Sequence, residues 1–344
     1  MRDYSKLSIS ERECHSWSEF EGETIFLTGG SGFFGTALLY SLLNAKKKVD
    51  LNINVTVLSR NISLFKQKHP KLADSNCIKL LEGDVLNFIF PDKKFSKIIH
   101  LATTSASETF NGEDQLTKYK TLVNGTERVL QFAVKCNAEK IIFTSSGVVY
   151  GQLPHGMTTV NELYSGAPAT NEVTSALAQG KRSAEFLISY YAEKYNFDYV
   201  IARCFSFVGP YLPLEIHYAI GNFVFDALHK DFIEIKSDGM AMRSYLDVND
   251  LTVWILRLLA KECNHKIYNV GSNVPVSILD LAKKVSEIVA PEKEVIICGN
   301  REHSVGNFAR NWYVPEIDRA RNELAVDVWI NLDQAIARIF NPSN

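Results

Sequence analysis

Residues 25–35 read Ile25-Phe-Leu-Thr-Gly-Gly-Ser-Gly-Phe-Phe-Gly35. An apolar, β-rich run passes directly into glycines at 29, 32 and 35, and an apolar helical pattern follows from Thr36. Strand, glycine turn and helix in that order are what a pyrophosphate requires. The glycines allow a tight turn and close approach of the backbone, and the helix offers unpaired N–H groups at the positive end of its dipole. A glycine-rich turn without a ligand is the bland alternative. The agreement of strand, spacing and helix favours a dinucleotide cradle formed by Gly29, Gly32, Phe33, Phe34 and Gly35.

The next strand pattern ends Val57-Leu-Ser-Arg60. At this place an acid selects NAD, whereas an arginine accommodates the additional phosphate of NADP. Asp50 precedes the strand, so Ser59 and Arg60 point to NADP. NAD stays open, because Arg60 also reads as a solvated charge or as a stacking partner for adenine.

Short apolar runs alternate with helical patterns through residue 203: Thr24–Thr28, Val55–Leu58, Ile78–Leu81, Lys97–Leu101, Ile141–Ser145 and Tyr199–Arg203 as strands, Val123–Val134 and Lys181–Tyr195 as helices. The predicted fold is α/β, a Rossmann-type doubly wound parallel sheet with a smaller α/β C-terminal substrate lobe. Residues 1–21 read as a polar arm, 22–203 as the dinucleotide-binding domain, and 204–243 with 263–344 as the substrate lobe, 244–262 packing back on the sheet. Proline and glycine at 210, 213, 221, 239, 271 and 275 mark where regular alternation weakens. Ile278–Val289 reads as a helix capped by Ser277.

The 344 residues are 46% hydrophobic and 22% charged, which excludes disordered and collagen-like classes. Lys and Arg number 37 against 39 Asp and Glu, a net charge of -2 that offers no footprint for nucleic acid or an anionic membrane. Six scattered cysteines form no CxxC pair and no cluster with histidine, so no metal site is expected. The polar start of the chain lacks an apolar signal core, and no apolar run approaches the ~20 residues that span a bilayer. A cytoplasmic location with reduced thiols is the expectation.

Further motifs recur in order: Gly83-Asp84-Val85, His100-Leu-Ala-Thr103, Asn124-Gly-Thr126, Thr144-Ser-Ser-Gly-Val-Val-Tyr-Gly151 and Gly180-Lys-Arg-Ser-Ala-Glu185. With the glycine cradle, they resemble the extended short-chain dehydrogenase/reductase superfamily, and within it the NAD-dependent epimerase/dehydratase family that modifies nucleotide sugars. The resemblance runs from about Thr24 to Leu324. It implies that Asp84 and Val85 meet the adenine and that Leu101, Ala102 and Thr103 line the dinucleotide. It also directs Asn124 toward the active site and places Lys181 on the nicotinamide ribose. Each has a plainer reading: a turn Asp, a satisfied core histidine at His100, a helix cap at Asn124, a surface lysine.

The resemblance further implies that Ser146, four residues before Tyr150, holds the hydroxyl being oxidised, with Ser145 as the reserve and Thr104 beside the substrate. The family's base is a tyrosine four residues before the lysine, a phenol whose pKa must fall from about 10 toward neutrality. In this chain that position is Leu177, which cannot move a proton. Replacement bases come from loops: Tyr164, Glu108, Glu172, Glu215 or His217. The Asp-Glu pair of the family's dehydratases is also replaced, by Gly147-Val148.

In the smaller lobe, Ser206, Asn222, Phe223 and Arg243 match substrate-binding positions, with Arg301 and Arg310 as weaker diphosphate candidates. Arg243 suits the diphosphate because its planar fork binds phosphate oxygens in pairs; an ion pair with Asp247 or Asp250 is the alternative. The implied activity is modification of a nucleotide-diphosphate sugar through transient oxidation by a tightly bound nicotinamide cofactor, in a homodimer. An NADP(H)-dependent keto-sugar reductase and a catalytically silent binding protein are the rival readings, the second motivated by Leu177.

Overall fold

The computed structural model describes residues 17–103, 112–210, 212–214, 218–260, 262–299 and 312–339. Its strands in chain order are β1 (Thr24–Thr28), β2 (Asn54–Ser59), β3 (Ile78–Glu82), β4 (Lys97–His100), β5 (Lys140–Ser146), β6 (Asp198–Cys204), β7 (Phe207–Val208), β8 (Ile233–Ile235), β9 (Met242–Arg243), β10 (Leu246–Asp247), β11 (Ile267–Val270), β12 (Val276–Ser277), β13 (Val295–Ile297) and β14 (Trp312–Tyr313). The helices are α1 (Phe33–Val49), α2 (Ile62–Lys68), α3 (Pro70–Ala73), α4 (Gln115–Lys135), α5 (Ala176–Tyr195), α6 (Ala219–His229), α7 (Val248–Ala260), α8 (Ile278–Val289), α9 (Asp318–Leu324) and α10 (Leu332–Arg338).

Seven strands form one sheet in the order β11-β6-β5-β4-β1-β2-β3, every pairing parallel. Strand order reverses between β1 and β4, and the crevice beyond the carboxyl ends at such a switch point is where open α/β sheets bind ligands. Both sheet faces are covered, so the strands are nearly continuous apolar runs. One face packs Ile25, Leu27, Val55 and Val57 against Leu38, Leu39 and Leu42 of α1 and Leu251 and Trp254 of α7. The other packs Phe26, Ile98, Ile141 and Phe143 against Val129, Phe132 and Ala133 of α4 and Ala184 and Ile188 of α5.

Each of the six strands expected on sequence lies within a residue of its observed bounds. The seventh, β11, falls in the segment 263–344 assigned to the smaller lobe, yet it hydrogen-bonds to β6 at the edge of the large sheet. Its four residues are too short to announce their pairing partner. The smaller lobe has its own core, with Ile220, Phe223 and Val224 of α6 against Leu281, Ala282 and Val285 of α8.

Candidate active site

Gly29 follows β1 with φ 77, and a Cβ there would lie 2.8 Å from both the Leu101 carbonyl carbon and the Ala102 nitrogen. Only glycine lets this turn touch the end of β4. At Gly35 a Cβ would collide with the Gly29 carbonyl oxygen and stand 2.5 Å from Gly30 Cα, so α1 can start against the turn only without a side chain. Gly32 is the N-cap of α1; no side chain caps it and no acid lies in the first turn. The α1 amides therefore face the crevice without a competing acceptor from that turn, an arrangement that fits a pyrophosphate. Phe33 and Phe34 serve the packing of this corner: Phe34 meets Phe207 edge-on at 4.8 Å, and Phe33 reaches both cores.

Arg60 is exposed one residue past β2, while Ser59 is buried and its Oγ donates to the Asn61 carbonyl at 3.3 Å. Asp84 Oδ1 accepts from the Leu86 N–H at 2.9 Å, a local turn that fixes the loop. Val85 packs on Gly125, where a Cβ would come within 3.0 Å of Val85 Cγ1. At the end of β4, Leu101 is buried, Ala102 half-buried and Thr103 exposed. Asn124 is exposed in the interior of α4 and caps nothing; Asp114 is the N-cap, its Oδ2 accepting from the Thr117 N–H at 2.9 Å.

His100 takes the core-histidine reading. Its Nδ1 lies 2.8 Å from Thr28 Oγ1 and its Nε2 3.1 Å from Thr126 Oγ1, while Thr28 Oγ1 accepts from the Ala102 N–H at 3.1 Å. The neutral ring is thus held between two threonine hydroxyls, each of which can donate to or accept from it. Burial, reinforced by the Lys181 charge, pushes its pKa down to about 3. A histidine folded in the neutral form supplies stability that is full above its unfolded value of 6.5 and is lost as pH falls toward about 3. We expect the apo protein to lose stability progressively below pH 6.5, with His100 still neutral by NMR at pH 5, and His100→Gln to flatten that dependence.

Alternation along β5 separates the two serines. Ser145 is buried and its Oγ donates to Glu185 Oε1 at 2.5 Å, whereas Ser146 caps the short 3-10 turn Gly147–Tyr150 at the cleft and its Oγ accepts from the Val148 N–H at 3.3 Å. Glu185 in turn accepts from Arg203 Nε at 3.1 Å and Nη2 at 2.7 Å. The Arg203 guanidinium lies 4.6 Å over the Tyr150 ring, and the Tyr150 hydroxyl donates to Asn269 Oδ1 at 2.7 Å. Several of the recurrent motif residues thus form one buried polar spine behind the cleft.

Lys181 is buried on α5, its Nζ donating to the Thr144 carbonyl at 2.6 Å and lying 4.5 Å from the Phe143 ring centroid. Burial pushes its pKa down to about 8. Leu177 stands one helical turn earlier on the same face and is 36% exposed. Of the replacement bases, Tyr164 packs with Tyr150 and Phe205, and Glu172 is exposed. Glu108, Glu215 and His217 lie outside the described residues, as do Thr104, Arg301 and Arg310.

One polar group beside Ser146 escaped sequence reasoning. The Tyr313 hydroxyl is 3.3 Å from Ser146 Oγ and donates to the Cys204 carbonyl at 3.4 Å. No local pattern marks it, because it is brought in by the parallel pairing of β14 with β9. The same pairing brings Arg243 near, its Cζ 5.9 Å from the Tyr313 ring centroid. The expected ion-pair alternative for Arg243 has other partners: Asp247 lies 3.8 Å from Arg338, and Asp250 accepts from the Trp329 and Ile330 N–H groups. Ser206 and Asn222 are half-buried, whereas the Phe223 side chain sits in the core of the smaller lobe.

Among the described residues no group of acidic, histidine or cysteine side chains could hold a metal ion, and no helix is long and apolar enough to cross a membrane. None of the described cysteines forms a disulfide.

UDP-glucuronic acid decarboxylase 6 of Arabidopsis thaliana is 30% identical to this chain over 278 residues, 80% of this chain and 77% of that protein. Human dTDP-D-glucose 4,6-dehydratase is 25% identical over 307 residues, covering 87% and 80% of the two chains. The solved dTDP-glucose 4,6-dehydratase of Streptomyces venezuelae, with NAD and TYD bound, superposes with a TM-score of 0.77 at 21% identity, over 92% of this chain and 95% of that one. Cradle, switch-point crevice and fold agree with the match of residues 25–271 to the family described as NAD dependent epimerase/dehydratase, and the chain belongs to that family.

Proposed function

We propose that the protein is an enzyme that modifies the sugar of a nucleoside-diphosphate sugar by transient oxidation, with a nicotinamide dinucleotide held in the crevice at β1 and β4. The observation that carries this reading is the pairing of an uncapped, glycine-built cradle with Ser146 and a buried lysine at the same end of the sheet. Bound there, the dinucleotide would supply reversible hydride acceptance.

The chain's own residues do the rest. The α1 amides bind the pyrophosphate, and Asp84 with Val85 receives the adenine. Lys181 holds the nicotinamide ribose and puts a positive charge beside the reaction centre. Ser146 orients the reacting hydroxyl, while Ser145, committed to Glu185, stabilises the wall behind it. Arg243 and Asn222 receive the nucleoside diphosphate from the smaller lobe. The relatives include decarboxylases of UDP-glucuronic acid and dehydratases of dTDP-D-glucose, which supports a uracil or thymine nucleotide on the substrate.

An NADP-linked reductase of a keto-sugar is the second reading, favoured by Arg60 beyond β2 where NAD enzymes of this fold carry an acid. A homodimer through α4 and α5 is supported by the exposed, stacked pair Phe186 and Tyr190 on α5, 68% and 48% accessible. Twice the 38.7 kDa chain mass by light scattering is its expected readout.

Incubation with UDP- and dTDP-linked hexoses and hexuronic acids, followed by NMR of the products, tests the main reading. A new sugar formed without net consumption of dinucleotide is the expected result. Conversion only with added reduced NADP would favour the reductase, and no conversion or isotope exchange at any sugar carbon would refute both.

A further inference from the structure

We propose that Tyr313 exchanges the proton of the sugar hydroxyl held by Ser146, taking the part that Leu177 cannot. The inference rests on the reading above and names a group for its unfilled step.

Three observations converge on this phenol. It stands 3.3 Å from Ser146 Oγ, so a hydroxyl bound to Ser146 is within reach of both oxygens. Its place is made by the residue after Ser146: a Cβ at Gly147 would fall 2.9 Å from the Tyr313 hydroxyl and 2.7 Å from two Phe205 ring atoms. A side chain at 147 and the phenol at 313 thus compete for one space. The phenol's ring packs on Phe205 at 4.7 Å between centroids, and its strand pairs with β9.

Without dinucleotide the electrostatic setting holds the phenol in its neutral form. Burial pushes the Tyr313 phenol up to about 12, offset in part by the Ser146 hydrogen bond and by Arg243. Among the described residues, the titratable and charged groups facing it are Cys204 of β6 and Arg243 of β9, and Cys204 is in turn coupled to Lys181. A second positive charge, that of oxidised nicotinamide, would lower the phenol by about one to three units.

When the sugar alcohol is oxidised, its carbon gives hydrogen with two electrons to the oxidised dinucleotide, and its O–H bonding pair becomes the second C–O bond. The released proton passes to the Tyr313 phenolate. When hydride returns to the carbonyl carbon, the phenol returns that proton to the oxygen, and both groups are restored.

The test combines kinetics with a readout independent of turnover. Tyr313→Phe keeps the ring and its packing, and is expected to lower kcat by about 10²–10⁴-fold while dinucleotide affinity changes less than about twofold. Adding Leu177→Tyr to Tyr313→Phe, which puts a phenol one turn before Lys181, is expected to recover at least about tenfold of that loss. Gly147→Ala, which displaces the Tyr313 hydroxyl, should lower kcat in the same direction.

Separately, NMR titration of 13C-labelled tyrosine, with the resonance assigned by Tyr313→Phe, is expected to show its pKa falling by about one unit or more with oxidised dinucleotide and little with the reduced form. Unchanged kcat in Tyr313→Phe, or bound oxidised dinucleotide without a shift, would overturn the proton-exchange role alone. Failure of the wild-type protein to bind dinucleotide would overturn the functional reading and this inference with it.

Discussion

Glu185→Ala is expected to destabilise the apo protein by about 3–5 kcal/mol, read as a lowered urea midpoint. Two neighbours lose their partner at once. Arg203 would keep a buried guanidinium against the Tyr150 ring with no carboxylate, and Ser145 Oγ would lose its acceptor at the end of β5. The size of the effect comes from leaving a charge uncompensated and not from the intrinsic worth of the pair. Replacing Glu185 and Arg203 together by methionines should therefore recover a large part of the loss. A Glu185→Ala protein within ~1 kcal/mol of wild type would show that the spine behind the cleft is not a stability element.

Lys181→Met is expected to act with opposite signs on stability and catalysis. Burial lowers the Lys181 pKa to about 8 from 10.5, so the folded state binds this proton less well than the unfolded chain. The ammonium is a net cost to folding below pH 8, and the cost vanishes as pH rises toward 10.5. Methionine removes that cost, and the apo variant should match or exceed wild-type stability at pH 7, with the gain gone above pH 10.5. Turnover, by contrast, should fall by ~10²-fold or more, because the charge that anchors the ribose and favours ionised groups nearby is gone. A variant that loses stability and activity in parallel would mark Lys181 as a structural residue.

The dinucleotide half of the fold was readable because its determinants are local. The run Ile25–Gly35 carries strand, turn and helix in adjacent residues, and of its three spaced glycines, Gly29 and Gly35 are those where a Cβ would strike Ala102 or Gly29, while at Gly32 it would stand 3.3 Å from the Gly29 carbonyl oxygen. The edge strand β11 was not readable, since Ile-Tyr-Asn-Val at 267–270 specifies an extended segment but not its neighbour. At the site, resemblance pointed to Ser146 over Ser145, and the alternation of β5 gives the physical reason: the two side chains face opposite sides of the strand. Phe223 illustrates a motif position whose side chain is core. Tyr313 was illegible for a different reason. It lies 167 residues from Ser146, and the contact exists only through the pairing of two-residue strands late in the chain. The missing tyrosine at 177 could be seen in the sequence, but a phenol arriving from elsewhere could not.

Every role proposed for the cleft requires the cradle to hold a nicotinamide dinucleotide. Purified protein should be denatured and the released small molecules identified by mass spectrometry, with the oxidation state and the 2′-phosphate recorded. Stoichiometric release of oxidised NAD or NADP is the predicted result, and the phosphate decides the role of Arg60. A protein that releases none and binds neither dinucleotide when either is added would contradict the central claim.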